Sequence, residues 1–361
     1  MISDSQLQRV LHKLRPALRH RTPNLNQVDH ALRLWGVAAT FTDPDCFSGV
    51  ELRGLLTDHR HFQEHWGPAT QPFILPNTRS TLPYVEFRTR SGPGSSSHVD
   101  HTLASLAEVT TPLDYPVNTP SGELPLKAAF DLAFDRFQLN QSECEWSALA
   151  FLHYLPHKKG WRTKEGQNIT WDMIAARLMR QKLAQGSCYG NHRLHTLACI
   201  LRVDESTQIL SPESRVTILT HLKDATARLV KSQHADGYWT RSWPGEEWDG
   251  NSDTDTYLTD TRSERLLATG HALEWWAFAP DDALPPEQHI VSAAQWVVTT
   301  IDTMADSDIS HSYTFLTHAG RALTLWRGAF PARASAHLVL ELPRFRAFSL
   351  SSIDHSPRTF D

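Results

Sequence analysis

The chain has 361 residues, of which 40% are hydrophobic and 21% charged, and its formal net charge is −5 at pH 7. This composition is ordinary for a globular protein and excludes intrinsic disorder, collagen and coiled coil. The slightly acidic balance argues against nucleic-acid binding, and no apolar run is long enough to cross a membrane.

The first part of the chain, residues 1–123, is predicted to hold helices and one irregular excursion. Apolar positions recur at helical spacing in 5–19, 27–36 and 98–108. Residues 67–97 are rich in proline, serine and glycine, and the only good alternating run is 81–90. We therefore expect an ordered excursion or a linker between the second and third helices.

The segment His98-Val-Asp100-His101 offers two imidazoles and a carboxylate at the start of the third helix. As metal ligands these side chains need a further partner that the sequence does not identify. As a helix start they need nothing more, with Ser97 as the cap and Asp100 in the first turn. We predict a capped helix here, and neither a metal site nor a cofactor for the chain.

From 124 to 343, helical patterns alternate with short turns. The predicted helices cover 124–138, 143–155, 170–184, 189–203, 212–230, 262–279, 286–302 and 311–327. Ser211 is placed to cap one of them, with Pro212 in its first turn. Antiparallel helical hairpins in series can close into a ring, so we predict a mainly α fold, an α/α toroid with a central cavity.

Residues 344–361 show little periodicity and are predicted to form an irregular tail of one continuous domain. Residues 1–20 are charged and lack the apolar core of a secretory signal. No cysteine lies in a CxxC pair, which is typical of reduced thiols in a cytoplasmic protein. The four cysteines are Cys46, Cys144, Cys188 and Cys199.

Three segments each place a histidine on a helix with a polar partner one turn away. The pairs are Asn191 with His195, His271 with Glu274, and His318 with Arg321. Spacings of three or four residues put both side chains on one helix face. A carboxylate beside an imidazole can fix its tautomer and raise its pKa, which suits a general acid or base. A structural role for each histidine remains the alternative.

These segments resemble motifs of the N-acylglucosamine 2-epimerase family. Gly270-His271-x-x-Glu274-Trp275 is similar to its GHxxEW motif, and Asn191-x-x-Leu194-His195 to its NxxMH segment. His318-Ala-Gly-Arg321-Ala-Leu resembles its HxPRAL-type segment, in the same order along the chain. The resemblance implies an (α/α)6 barrel that interconverts sugars by moving a proton next to a carbonyl.

By that resemblance, His271 and His318 are the acid/base pair, His195 assists and Glu274 orients His271. The other motif residues become candidates for binding the carbohydrate: Asn191, Arg321 and Trp275. The interval from His271 to His318 holds about one helical hairpin, which is shorter than in the family. The segments that the family carries near its N-terminus have no equivalent in residues 1–120.

A second resemblance points to the same fold. Gln233-x-x-Asp236-Gly237-x-Trp239 is similar to the QxxDGxW pattern of terpenoid cyclases and prenyltransferases, which are also α/α toroids. The motif is structural in those proteins. Asp253-Thr-Asp255-Thr lacks the last carboxylate of the cyclase acid, so this resemblance supports the fold more than the chemistry.

The loop 249–260 is acidic and lies near several tryptophans. Its oxygen ligands follow an EF-hand-like spacing but lack the glycine and glutamate that a calcium loop needs. We interpret it as a solvated loop at a cavity mouth, where Asp253 and Asp255 contact sugar hydroxyls. Trp239 is a candidate for stacking on a sugar ring, with core packing as the alternative.

The sequence thus predicts a sugar isomerase or epimerase that acts through histidines on a small carbohydrate. A toroid hydrolase or lyase is an alternative, and a non-catalytic helical scaffold or binding protein is another, because toroids host many functions.

Overall fold

The computed structural model describes residues 2–20, 24–77, 83–245 and 261–328. The described residues are mainly helical, which confirms the predicted fold class at that level. The helices are α1 (Asp4–Lys13), α2 (Leu25–Trp35), α3 (Gly49–Thr57), α4 (His59–Trp66), α5 (His101–Glu108), α6 (Lys127–Arg136), α7 (Cys144–Tyr154), α8 (Trp171–Arg180), α9 (Asn191–Thr207), α10 (Pro212–Ser232), α11 (Thr261–Phe278), α12 (Glu287–Thr303), α13 (Asp306–His311) and α14 (Tyr313–Arg327).

The described strands form three antiparallel hairpins. The hairpins are β1 (Ile74–Asn77) with β2 (Tyr84–Phe87), β3 (Pro116–Thr119) with β4 (Gly122–Pro125), and β5 (Gly160–Arg162) with β6 (Asn168–Thr170). The strand β2 lies within the alternating run 81–90, as predicted. Each of the others has three or four residues, too few for alternation to stand out in the sequence.

Local signals explain where several helices begin. The Ser211 side chain accepts a hydrogen bond from the Ser214 N–H, and Pro212 opens α10, as predicted. The predicted cap at Ser97 is wrong, because α5 begins later, at His101. Asp100 occupies the cap position with φ of +57° and makes no capping hydrogen bond. Its carboxylate instead accepts a hydrogen bond from the Ser147 hydroxyl.

Six helices form a closed circuit of contacts. In order, α2 packs on α5, α5 on α7, α7 on α9, α9 on α11, α11 on α14, and α14 returns to α2. Other helices lie against members of this circuit, with α3 on α2, α6 on α7, α8 and α10 on α9, α12 on α11, and α1 on α14. The circuit therefore combines helices from both sides of position 123.

Within the circuit, α11 and α14 share the most extensive contact, and a glycine permits their close approach. A Cβ added at Gly270 would lie 2.8 Å from the backbone nitrogen of Ala319. On the other side of α14, a Cβ at Gly320 would lie 2.7 Å from Leu14 Cδ1. These two glycines let α14 pack between α11 and the N-terminal segment.

Among the described residues, no helix combines the length and the apolar character that crossing a membrane requires. The four cysteines are free thiols in the structure.

Candidate active site

Every helix of the six-helix circuit contributes buried or largely buried polar or aromatic side chains to one connected group, which we call the central cluster. Its members are Asp29, His30 and Arg33 on α2, His101 and Glu108 on α5, Trp146 on α7, His192 and His195 on α9, His271 and Glu274 on α11, and His318 and Arg321 on α14. So many ionisable groups in one interior are unusual, since charged residues are seldom fully buried unless paired.

Four of these residues form an ion-pair quartet in which the charges alternate. Arg33 Nη2 lies 3.1 Å from Glu108 Oε1 and 3.6 Å from Glu274 Oε1. Arg321 Nη2 lies 3.1 Å from Glu108 Oε1, and Arg321 Nη1 contacts Glu274 Oε1. Each carboxylate thus faces two guanidinium groups, and the quartet connects α2, α5, α11 and α14.

The quartet keeps both carboxylates ionised. Burial raises the pKa of Glu108, but Arg33 and Arg321 outweigh it and hold that pKa well below its usual range. Burial also raises the pKa of Glu274, but His318 and Arg321 outweigh it and hold that pKa well below its usual range. Glu274 is therefore a hydrogen-bond acceptor at neutral pH and not an acid.

His271 and His318 share the Glu274 carboxylate. Glu274 Oε2 lies 2.8 Å from His318 Nδ1 and 3.3 Å from His271 Nδ1. The two imidazole rings are tilted by 39° with centroids 3.7 Å apart. Two residues that are 47 positions apart (318 − 271) in the sequence are thus held in contact by one acceptor.

The surroundings also fix the charge and tautomer of this pair. Burial, with His271 next to it, lowers the pKa of His318 to about 3. Burial likewise lowers the pKa of His271, although Glu274 opposes the change. Because an ionised carboxylate only accepts, a neutral His318 donates from Nδ1 and keeps its lone pair on Nε2. The Nε2 atom of His271 is buried and has no hydrogen-bond partner.

His195 differs from the other histidines in its charge. Its Nε2 lies 3.5 Å from Glu108 Oε1 and 3.7 Å from the Cys199 sulfur. Burial lowers the pKa of His195, but Cys199 and Glu108 outweigh it and raise the pKa to about 9. The cluster therefore combines neutral imidazoles with one imidazolium at neutral pH, the kind of separation that divides base from acid in active sites.

The central cluster extends towards the surface along His98. The rings of His98 and His192 have centroids 5.6 Å apart, and His98 Nδ1 lies 2.6 Å from Glu143 Oε1. Glu143 also contacts Arg90, whose side chain is 47% exposed. The hydroxyl of Ser187 donates to Glu143 at 2.6 Å. On this side, the cluster is therefore connected to solvent through Arg90.

The structure brings together most of the predicted catalytic residues. His271, Glu274 and His318 are in direct contact, and Arg321 joins them through Glu274. His195 reaches the same group through Glu108, which contacts Arg321.

The predicted substrate-binding residues have varied positions. Asn191 Nδ2 donates to the Cys188 carbonyl at 2.9 Å, and its Oδ1 is buried without a hydrogen-bond partner. Trp239 and Trp275 are completely buried and present no face to solvent. Trp239 Nε1 donates to the Leu229 carbonyl, so its position fits the core-packing alternative.

Several predicted features lie outside the described residues. They are Asp253, Asp255 and the calcium-loop alternative at 249–260, together with the tail 344–361.

Sequence reasoning missed four members of the cluster that come from residues 1–123. Asp29, His30 and Arg33 lie in the predicted helix 27–36, and Glu108 ends the predicted helix 98–108. A signal was present, because ionisable residues interrupt otherwise apolar helices there. The sequence does not show which residues of distant helices pair with these side chains, and those pairs are what form the site.

Two groups of side chains among the described residues each bring three potential metal-ligand atoms within 4.8 Å of one another. One group is Cys188, His192 and His271, and the other is His271, Glu274 and His318. In the second group, Glu274 already serves as acceptor for both imidazoles. The first group has no such explanation.

Comparison with known proteins gives no relative. The chain matches no protein-family model, no curated protein and no solved structure. Its function must therefore be argued from the central cluster itself.

Proposed function

We propose that the chain is an enzyme that moves a proton next to a carbonyl group, with a small carbohydrate as its substrate. The observation that carries this proposal is the shared carboxylate of Glu274, which aligns His271 and His318. Two neutral imidazoles in contact, oriented by one ionised acceptor, are suited to removing and returning a proton.

The proposal includes an α/α toroid. The closed circuit of six helices supports it, because the inner ring of such a fold is a circuit of this kind. The further helices that pack against members of the circuit are the expected outer layer. The QxxDGxW-like segment adds support, since Gln233 Nε2 donates to the carbonyls of Gly237 and His289 in the structural role expected of that motif.

In the proposed reaction, His318 Nε2 accepts the proton from the carbon next to the carbonyl. The electron pair of that C–H bond forms an enediolate, and the pair of imidazoles returns the proton to carbon. His195, protonated at neutral pH, supplies positive charge near the quartet that favours the anionic intermediate. Glu274 orients both imidazoles and remains ionised throughout.

The carbohydrate class rests on the resemblance of the three histidine segments to the epimerase motifs. The three histidine segments come together in one cluster, and several of its buried imidazole nitrogens have no hydrogen-bond partner. Such nitrogens favour an enzyme over a scaffold, because they are costly to bury and contribute nothing to stability. Glycoside hydrolysis needs a protonated carboxylic acid. Within the ion-pair quartet, Glu108 and Glu274 are both held ionised and do not supply that acid.

Proton NMR in deuterated water tests the proposal with a panel of aldoses, ketoses and N-acyl amino sugars. We expect deuterium at the carbon next to the carbonyl of at least one sugar. His318→Gln should reduce the exchange by a factor of about 100 or more, since one general base contributes about that much. His12→Gln, at an exposed histidine on α1, is the matched control and should leave exchange unchanged.

Undiminished exchange in the folded His318→Gln variant would contradict the assigned base. The absence of exchange with every sugar in the panel would reject the carbohydrate substrate.

A further inference from the structure

We infer that Cys188, His192 and His271 form a binding site for one divalent transition-metal ion, with Zn²⁺ as the expected occupant. Their sulfur and nitrogen atoms all lie within 4.8 Å of one another. Zinc holds sulfur at about 2.3 Å and nitrogen at about 2.0–2.1 Å in a tetrahedron.

The two imidazoles have no other partners on the nitrogens that the metal would use. Both ring nitrogens of His192 and the Nε2 of His271 are buried and make no hydrogen bond. The residues are only 5% and 3% exposed, respectively. An unsatisfied buried polar group costs about 1–3 kcal/mol, so three such atoms at one point need an explanation. A bound metal ion would satisfy one nitrogen of His192 and the Nε2 of His271.

The backbone before α9 is shaped to present the thiol. Cys188, Tyr189 and Gly190 have φ of +49°, +60° and +79°, a left-handed run of three residues. Each non-glycine residue there costs about 1–2 kcal/mol. A Cβ at position 190 would lie 2.7 Å from the Leu183 carbonyl oxygen, so this turn also requires its glycine. Strain of this kind is typical of functional sites.

His271 has the carboxylate neighbour that a metal-bound imidazole usually has, and this neighbour is Glu274. Glu274 Oε2 faces His271 Nδ1 at 3.3 Å, which leaves Nε2 free for the ion. Metal-ligating histidines usually donate their other N–H to a carboxylate in this way. Arg321 and His318 hold Glu274 in place.

One thiolate and two imidazoles favour zinc over the oxygen-seeking Mg²⁺ and Ca²⁺. Binding converts the Cys188 thiol to a thiolate and releases one proton. Three protein ligands leave a fourth position open for water or substrate, as in catalytic zinc sites. The site deepens the proposed function, because an ion here would polarise a carbonyl while His318 moves the proton. With the ion bound, His271 acts as a ligand, and His318 alone both removes and returns the proton.

The test is metal binding without any substrate. Protein purified without chelator should contain about one zinc per chain. After its removal, Co²⁺ should produce a thiolate-to-cobalt charge-transfer band. Cys188→Ser should abolish that band, and His192→Gln should weaken binding by about 100-fold or more. Cys46→Ser is the matched control, a buried thiol whose charged neighbours are Asp43 and Arg15, and it should retain the band.

Less than a tenth of an equivalent of bound metal, or a charge-transfer band that survives in Cys188→Ser, would overturn the site. Loss of metal in His318→Gln with retention in Cys188→Ser would also overturn it, by placing the ion at Glu274. If Cys188→Ser fails to fold, the Co²⁺ spectrum of the wild-type protein decides the matter: the group at Glu274 contains no thiol, so the absence of a thiolate-to-cobalt band would overturn the site. Metal binding as expected, without exchange on any sugar, would support the site and reject the proposed function.

Discussion

Glu274 is the residue on which the interactions of the central cluster converge. It accepts from two imidazoles and faces two guanidinium groups, and its side chain is 3% exposed. Removing one member of a buried charged group leaves the others without compensation. Both the stability of the fold and the alignment of His271 and His318 therefore depend on a single carboxylate.

We predict that Glu274→Gln lowers the free energy of unfolding by about 3–5 kcal/mol. An amide cannot accept from both imidazoles while it faces two cations, because half of it is a donor. Chemical denaturation monitored by circular dichroism measures the change. Glu205→Gln, at a surface ion pair with Arg202, is the control and should change stability by less than about 1 kcal/mol. Equal effects of the two substitutions would contradict this account.

At the scale of elements, close packing of α11 on α14 places the two imidazoles in contact. We predict that Gly270→Ala destabilises the protein by about 1–3 kcal/mol, because the new methyl group meets backbone that cannot move aside. Gly54→Ala, in α3, is the control, since its Cβ meets only the side chain of the exposed His61. This change should be neutral or stabilising.

Thermal unfolding of the two glycine variants provides the comparison. A melting temperature of Gly270→Ala equal to that of wild type would show that α11 and α14 are less tightly packed than described.

Sequence patterns predicted the longer elements well and the short ones poorly. The apolar stripe of α10 predicts a helix, and its cap predicts the residue at which that helix begins. Both predictions are right because propensity, pattern and capping agree there. The helices α3, α4 and α13 have nine, eight and six residues and were missed, because so few turns give little periodicity. The one-turn pairing of His271 with Glu274 could be predicted from their spacing, whereas the contact of Glu274 with Arg33 depends on tertiary packing.

At the scale of the whole molecule, the buried histidines should give stability a maximum near neutral pH. Burial lowers the pKa of His30 well below 6.5 and also lowers that of His101. Their contribution is present above the unfolded pKa of about 6.5 and is lost as the pH falls below it. His195, with a pKa raised to about 9, contributes below about 6.5 and loses that contribution as the pH rises towards 9.

Denaturant titrations between pH 4.5 and pH 9.5 measure this profile. His30→Gln should reduce the acidic slope by up to about 1.4 kcal/mol per pH unit, the value for one proton, and His195→Gln should flatten the alkaline limb. A stability profile that is flat across this range would show that these histidines titrate alike in the folded and unfolded chain.

The ion-pair quartet also has a consequence for the order in which the chain is made. Arg321 follows Arg33 by 288 residues (321 − 33) in the chain and is therefore synthesised later. Until α14 is synthesised, Glu274 lacks two of its partners and cannot be buried without a large penalty. Burial of Glu274 and closure of the six-helix circuit around the quartet must therefore follow the synthesis of α14.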